Sequence, residues 1–332
     1  MFLEFYGLSE QPFGVTPDPR FLYLSPGHRE ALASIYYGIE VGRGFMALVA
    51  KPGMGKTTLL FQLLEKFRHN ARTAFLFQTQ CSSREFMRLL LAELGVESRD
   101  QDFVSTHEEF NKFMLQEAHA HRRLIVMIDE AQNLDASVME TVRLLSDFET
   151  PRTKLLQIIL SGQPELADKL ASKQLVQLRQ RVSVLTGLTP LSVEETRKYI
   201  EYRMGIAGHS GSLPFSDEAL LAMARFSEGI PRNINNVCFN VLSLGCALRQ
   251  RMIDLKIVEE VIGDLDIKQH MTETTPVLPS DPPFHMPASR NFSKSYESPY
   301  VAGNDVHGAL TPAEARAYMS QLAAQLRDWK RN

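Results

Sequence analysis

The stretch Ala50-Lys51-Pro52-Gly53-Met54-Gly55-Lys56-Thr57-Thr58 places two glycines just ahead of a lysine and two hydroxyls. That spacing suits phosphate. Backbone around Gly53 and Gly55 can curl so that, beyond Pro52, the N–H groups from Gly53 to Thr58 surround phosphate oxygens. Lys56 can then reach the β- and γ-phosphates, and the Thr57 hydroxyl can hold a magnesium ion. The first position of the pattern is ordinarily glycine and here is Ala50. An alanine there would cost about 1 kcal/mol if the position needs a left-handed backbone, and less otherwise. An ordinary strand-to-helix turn with a chance Gly-Lys-Thr is the plain alternative.

A second chemical pair, Asp129-Glu130, ends the most hydrophobic strand-like run, Leu124-Ile125-Val126-Met127-Ile128. A parallel sheet presents its ligands at the carboxyl ends of its strands. Asp129 would complete the magnesium site begun by Thr57, and Glu130 would orient and deprotonate an attacking water. Taken alone, two carboxylates after a strand could as well start a helix. Ser161-Gly162-Gln163 ends another apolar run, where Ser161 or Gln163 could touch a γ-phosphate; a plain turn capping the helix at Pro164 is the competing reading. Arg179 and Arg181 in Leu178-Arg179-Gln180-Arg181 could reach a neighbouring subunit's nucleotide or simply form a solvated basic face. Arg232, which follows Pro231 at the start of a helix, could reach back to the γ-phosphate. His119 and His121 lie two apart on a helix and do not face each other, so they make no metal pair.

The elements that must position these groups are legible as periodicity. A turn-rich arm (Pro12, Pro17, Pro19) precedes a helix expected over about His28–Val41, whose Leu32, Ile35, Tyr36 and Ile39 either pack on the core or wall a purine pocket. Residues 45–190 alternate strands and helices: strands at Phe45–Val49, Thr73–Phe77, Leu124–Ile128, Leu155–Ser161 and Val182–Leu185, helices at Ser83–Leu94, Thr106–His121 and Ala136–Phe148. This is the pattern of a parallel sheet covered by helices. From Leu191 to about 266 only helices are expected. Their starts are marked by a Ser192/Glu195 capping box, a Ser216 cap and Pro231 in a first turn, and the fourth helix is expected over Leu255–Leu265.

Six of 17 prolines fall between Pro276 and Pro299, so 267–310 reads as a flexible linker. Thr311-Pro312-Ala313-Glu314 then opens an amphipathic helix over 311–332 that carries the single tryptophan, Trp329. It would dock a protein partner or fold back on the body. The 332 residues give a prior of roughly two domains, and the net charge of −3 gives no global pull toward nucleic acid or anionic membrane. No run approaches the roughly 18 consecutive apolar residues of a membrane span. Three cysteines make no disulfide framework, and no secretory leader is visible. A cytoplasmic location is expected.

The segments KPGMGKTT, LIVMIDEAQNL, LLQIILSGQPEL, LRQRVSVLTGLTPLSVEETRKYI and GIPRNINNVC, with the leader SEQPFGVTPDPRFLYLS, occur in order over about residues 1–266. Together they resemble the AAA+ ATPases of the general secretion pathway protein A (ExeA-like) family. The resemblance implies a P-loop fold with a five-stranded parallel sheet sandwiched by helices and followed by a small helical lid. It further implies ATP and Mg2+ as cofactors, Lys56 and Thr57 on Walker A, Asp129 and Glu130 on Walker B, Gln163 near sensor 1, Arg181 as the trans-acting finger and Arg232 on sensor 2. A homo-oligomeric ATPase follows, acting as motor or switch on a protein partner in secretion or surface-polysaccharide export. A nucleotide-gated DNA-binding adaptor is the second reading. Two departures stand out: Ala50, and the proline-rich stretch with one helix where secretion-type members carry a transmembrane helix and a cell-wall-binding domain.

Overall fold

The computed structural model describes residues 2–77, 80–96, 103–120, 122–146 and 154–273. The chain divides into two compact units, Met1–Asp266 and Ile267–Asn332. In the first, a short helix α1 (Phe2–Phe5) and an extended arm lead to α2 (Pro26–Glu40). The repeating layer follows: β1 (Phe45–Val49), α3 (Lys56–Phe67), β2 (Ala71–Leu76), α4 (Ser83–Glu93), α5 (Phe103–His119), β3 (Arg123–Ile128) and α6 (Ala136–Leu145). It closes with β4 (Leu156–Gly162), α7 (Pro164–Ala171), α8 (Val176–Arg181) and β5 (Val182–Gly187). Beyond it the described chain is helical: α9 (Val193–Ile206), α10 (Asp217–Phe226), α11 (Pro231–Ala247) and α12 (Leu255–Glu273).

The five strands form one parallel sheet in the order β2-β3-β4-β1-β5. Period-2 alternation in β3 shows why helices must cover both faces. Leu124, Val126 and Ile128 point into a core shared with Phe86, Leu90, Phe110 and Val142. Ile125 and Met127 point the other way, into a core with Ile35, Ile39, Leu59 and Leu63. A third apolar cluster joins the helical layer, through Ile200, Met204, Val237 and Val241, to Tyr6, Leu8, Phe13 and Phe21 of the N-terminal arm.

Element ends differ from the periodicity reading in instructive ways. Helix α2 starts at Pro26 because the Ser25 side chain accepts from the His28 N–H and proline suits the first turn. Strand β2 runs Ala71–Leu76, two residues earlier than its apolar core suggests, because its first residues pair in register with Arg123 and Leu124 of β3. Helix α12 continues to Glu273, past the expected end near Leu265. No proline or glycine occurs between Asp266 and Glu273 to stop the helix. The rest of the linker and the 311–332 helix lie outside the described residues. Both the Ser192/Glu195 capping box and the Ser216 cap are present.

Candidate functional site

The site lies where the loops after β1, β3 and β4 meet at the carboxyl end of the sheet. Gly53 (φ 77°) and Gly55 (φ 88°) are both left-handed, the conformation that L side chains resist. A Cβ on Gly53 would also stand 2.7 Å from Cβ of Arg232. The loop therefore needs glycine at 53 both for its turn and for its contact with α11, where the Arg232 N–H donates to Gly53 O at 3.1 Å. Ala50 is different. The left-handed non-glycine residues among those described are Glu130, Glu228 and Arg249, so Ala50 carries no such strain. Its N–H donates to Gly162 O at 3.1 Å, extending the β1–β4 ladder, and its methyl is buried in the apolar core beside Met46 and Leu48.

Lys56 is buried, with Nζ donating to Ala50 O at 3.0 Å and Lys51 O at 3.3 Å. Burial pulls its pKa below the ordinary lysine value, opposed by the carboxylates of Glu130 and Asp129. The Asp129 carboxylate bridges the other two loops: it accepts from Thr57 Oγ1 at 2.5 Å and from Ser161 Oγ at 2.7 Å. Glu130 follows with a left-handed backbone, φ 50°, a conformation that costs about 1–3 kcal/mol and clusters at functional sites. Its Oε2 accepts from Gln132 Nε2 at 2.6 Å and from Gln163 Nε2 at 3.1 Å, while Gln132 Oε1 accepts from the Gln163 N–H at 3.1 Å. Burial raises the Glu130 pKa, but these two amide donors, with Lys56 and Arg232 nearby, bring it to a net value below the usual glutamate range.

Of the residues singled out by sequence, Gly53, Met54, Gly55, Lys56, Thr57, Thr58, Pro52, Glu130, Gln163 and Arg232 line one cleft. Asp129 is held at its edge by Thr57 and Ser161. Arg181 is not in this cleft. Strands β1 and β5 run parallel, with Phe45 beside Val182, so Arg181 sits at the opposite end of the sheet from the loop. Its Nη1 donates to Ser146 Oγ at 2.8 Å, whereas Arg179 is exposed. The purine-wall reading of α2 is corrected: Leu32, Ile35 and Ile39 are buried in the core, and Tyr36 stacks on Phe67 at 5.0 Å between ring centroids. The cleft wall comes instead from the arm, including Gly14, Phe21 and Tyr23, and from His28 alone of α2.

His28 and Gln132 were not recognised from sequence. Gln132 does carry a signal, its place two residues after Glu130 in Asp129-Glu130-Ala131-Gln132. His28 had no such signal. Its Nε2 contacts Met54 O at 3.0 Å and its Nδ1 contacts Ser25 Oγ at 2.8 Å. A carbonyl only accepts, so the proton sits on Nε2, and the Ser25 hydroxyl donates to Nδ1. Burial pushes the His28 pKa down, opposed in part by the Met54 carbonyl. The neutral ring thus braces the loop.

Phosphate and a divalent cation fit what is present. Gly53 and Gly55 give the loop two left-handed turns, the Lys56 ammonium lies on its carbonyl oxygens, and a hydroxyl and a carboxylate already meet at 2.5 Å. Among the described residues no cluster of three or more His, Cys, Asp or Glu side chains suggests a different, all-protein metal centre.

Residues 39–170 match the AAA domain family. With the β2-β3-β4-β1-β5 sheet and the glycine loop after β1, that match makes the chain a P-loop protein of the AAA+ class. It is related to general secretion pathway protein A of Aeromonas hydrophila, with 36% identity over 243 residues, 73% of this chain and 44% of that one. The chain thus spans less than half the length of that relative. In fold it is similar to the Aeropyrum pernix ORC2 protein in its ADPNP–ADP complexes (TM-score 0.60, 15% identity, 77% of this chain and 71% of that one). Drosophila ORC bound to DNA gives a TM-score of 0.59 at 17% identity, covering 80% and 67%. Among the described residues no helix is long and apolar enough to cross a membrane.

Two outcomes follow from the loop and its brace. Because the folded-state pKa of His28 lies below its unfolded value of 6.5, the folded protein binds fewer protons there. Its stability contribution is complete above pH 6.5 and is lost as pH falls below that value toward the folded pKa. Thermal melting from pH 7.5 to 5.5 should show this loss, and His28→Asn should flatten it; equal pH dependence in both proteins would remove His28 as the cause. Ala50→Gly should leave nucleotide affinity unchanged and lower stability by about 1 kcal/mol, read from urea unfolding. Tighter nucleotide binding by Ala50→Gly would mean that the alanine does distort the loop.

Proposed function

We propose that the chain is a Mg2+-dependent ATPase that works in an assembly, using nucleotide-driven movement of its helical lid to act on a protein partner. The observation that carries the hydrolytic reading is the Asp129 carboxylate held between Thr57 and Ser161, with Glu130 next to it and oriented by two glutamine amides. A binding switch without hydrolysis has no need of a second, separately positioned carboxylate.

In this reading Lys56 leaves the carbonyls of Ala50 and Lys51 for the β- and γ-phosphates, and loop N–H groups from Gly53 to Thr58 take the remaining oxygens. Thr57 and Asp129 hold the magnesium ion, which when bound neutralises charge on the phosphate oxygens. Glu130 takes a proton from water as the oxygen forms its bond to the γ-phosphorus and the bond to the ADP oxygen breaks. Gln163 lines the cleft and donates to Glu130, which suits it to report hydrolysis. Arg232 adds positive charge from the lid side, and its N–H on Gly53 links α11 to the loop. Arg179 or Arg181 serves the neighbouring copy in a homo-oligomer; exposure favours Arg179, since Arg181 is tied to Ser146.

Likeness to general secretion pathway protein A supports a partner in secretion or surface-polysaccharide export, with residues 311–332 as its docking segment. A need for ATP supports a cytoplasmic setting for the site.

Steady-state hydrolysis tests the reading. Glu130→Gln should bind ATP as tightly as wild type and hydrolyse it at least about 100-fold more slowly. Wild type that binds ATP yet shows no Glu130-dependent turnover in any assembled form would end the enzyme reading. The acid limb of kcat/KM should lie below the ordinary glutamate range, and Gln132→Ala should move it upward by removing one donor to Glu130. For the arginine, Arg179→Ala and Glu130→Gln should each be inactive alone, and mixing them should restore turnover through composite sites. If mixing restores activity only with Arg181→Ala, the finger is Arg181.

A further inference from the structure

Arg203, on α9, is the buried cation of the cleft for which the ATPase chemistry has no use. It is only 8% exposed, and among the described residues it has no acidic partner. Its partners are main-chain oxygens of the arm. Nε donates to Pro12 O at 2.6 Å, and Nη1 donates to Phe21 O and to Tyr199 Oη, each at 3.3 Å. The guanidinium also lies 4.9 Å from the Phe21 ring centroid and 5.5 Å from that of Tyr199. Taking an unpaired charge out of water is costly unless such donors are satisfied. The protein has committed this group to holding the arm.

The network extends further. Tyr199 Oη donates to Asn235 Oδ1 at 2.8 Å, and Asn235 Nδ2 donates to Gly14 O at 3.3 Å. Asn235 lies on α11, three residues after Arg232, whose N–H is on Gly53 O. Arm carbonyls at 12, 14 and 21 are thereby fastened to α9 and α11, and α11 is fastened to the phosphate loop. Gly14, Phe21, Tyr199, Arg203 and Asn235 all line the same cleft as Lys56. The wall opposite the loop is therefore carried by the helical layer and not by the sheet.

We propose that Arg203 is a positioning residue for the nucleoside half of the nucleotide. It makes the Pro12–Phe21 strap travel with α9 and α11, so that the wall receiving base and ribose forms only when the helical layer is closed. The proposal rests on the nucleotide-binding reading of the cleft, but it is separable from it, because inorganic tripolyphosphate engages the loop without touching the strap.

Calorimetric titration with Mg-ADP and with Mg-tripolyphosphate tests it. Arg203→Ala should weaken ADP at least tenfold and tripolyphosphate less than twofold. Tyr199→Phe removes one hydroxyl, keeps the ring and so guards against a misfolded Arg203 variant; it should weaken ADP about three- to tenfold with the same selectivity. Equal weakening of both ligands, or unchanged ADP affinity in the two variants, overturns the clamp while leaving the phosphate loop standing. Wild type that binds neither ligand overturns the nucleotide reading, and the clamp with it.

Discussion

Everything at the site depends on one carboxylate, Asp129, that ties together the ends of three strands. Strands β1 and β3 are not neighbours; β4 lies between them. Thr57 follows the loop after β1 and Asp129 follows β3, so their side chains can meet only over the end of β4. There Ser161 takes the second carboxylate oxygen. All three strand ends are thereby fixed relative to one another by short hydrogen bonds to a single charged group, which are stronger than bonds between neutral groups. The sheet order makes this meeting possible, and the apolar cores on both faces keep the order.

The same end of the sheet also concentrates opposing charge. Lys56, buried and held on carbonyl oxygens, faces two carboxylates and Arg232 of α11. Glu130 is kept ionised by amide donors in spite of burial and is held in a backbone conformation that side chains avoid. These are costs that a purely structural turn has no reason to bear, and they are placed around the glycine loop after β1. Lys169 reinforces the arrangement from α7 by donating to Gln132 O at 2.5 Å and Leu134 O at 2.7 Å, so the turn that aims Glu130 is braced by the helix that begins after Gln163.

Much of this was legible in the sequence, for physical reasons that can be named. The strands show because buried parallel strands are continuous apolar runs, and the helix starts show because Ser192, Ser216 and Pro231 satisfy or forgo N–H groups locally. Lys56, Thr57, Asp129 and Glu130 show because their chemistry demands those side chains at those strand ends. The brace at His28 and the network at Arg203 were hidden. Their partners are carbonyl oxygens, which every residue carries, and Arg203 reaches across 191 residues to Pro12. Ala50 is hidden for a related reason: residue type alone suggests strain, whereas the backbone angle and the ladder bond to Gly162 show none. The apolar stripe of α2 likewise could not tell core from cleft, because both demand the same residues.

The carbonyl fastening of the arm bears on how such a chain can drift. Since Pro12, Gly14 and Phe21 are gripped by main-chain oxygen, a replacement there leaves the acceptor in place. Arg203, Tyr199 and Asn235 contribute side-chain atoms and leave nothing behind when they change. The acceptors at 12, 14 and 21 thus outlast a change of side chain, whereas a change at Arg203, Tyr199 or Asn235 removes a fastener outright.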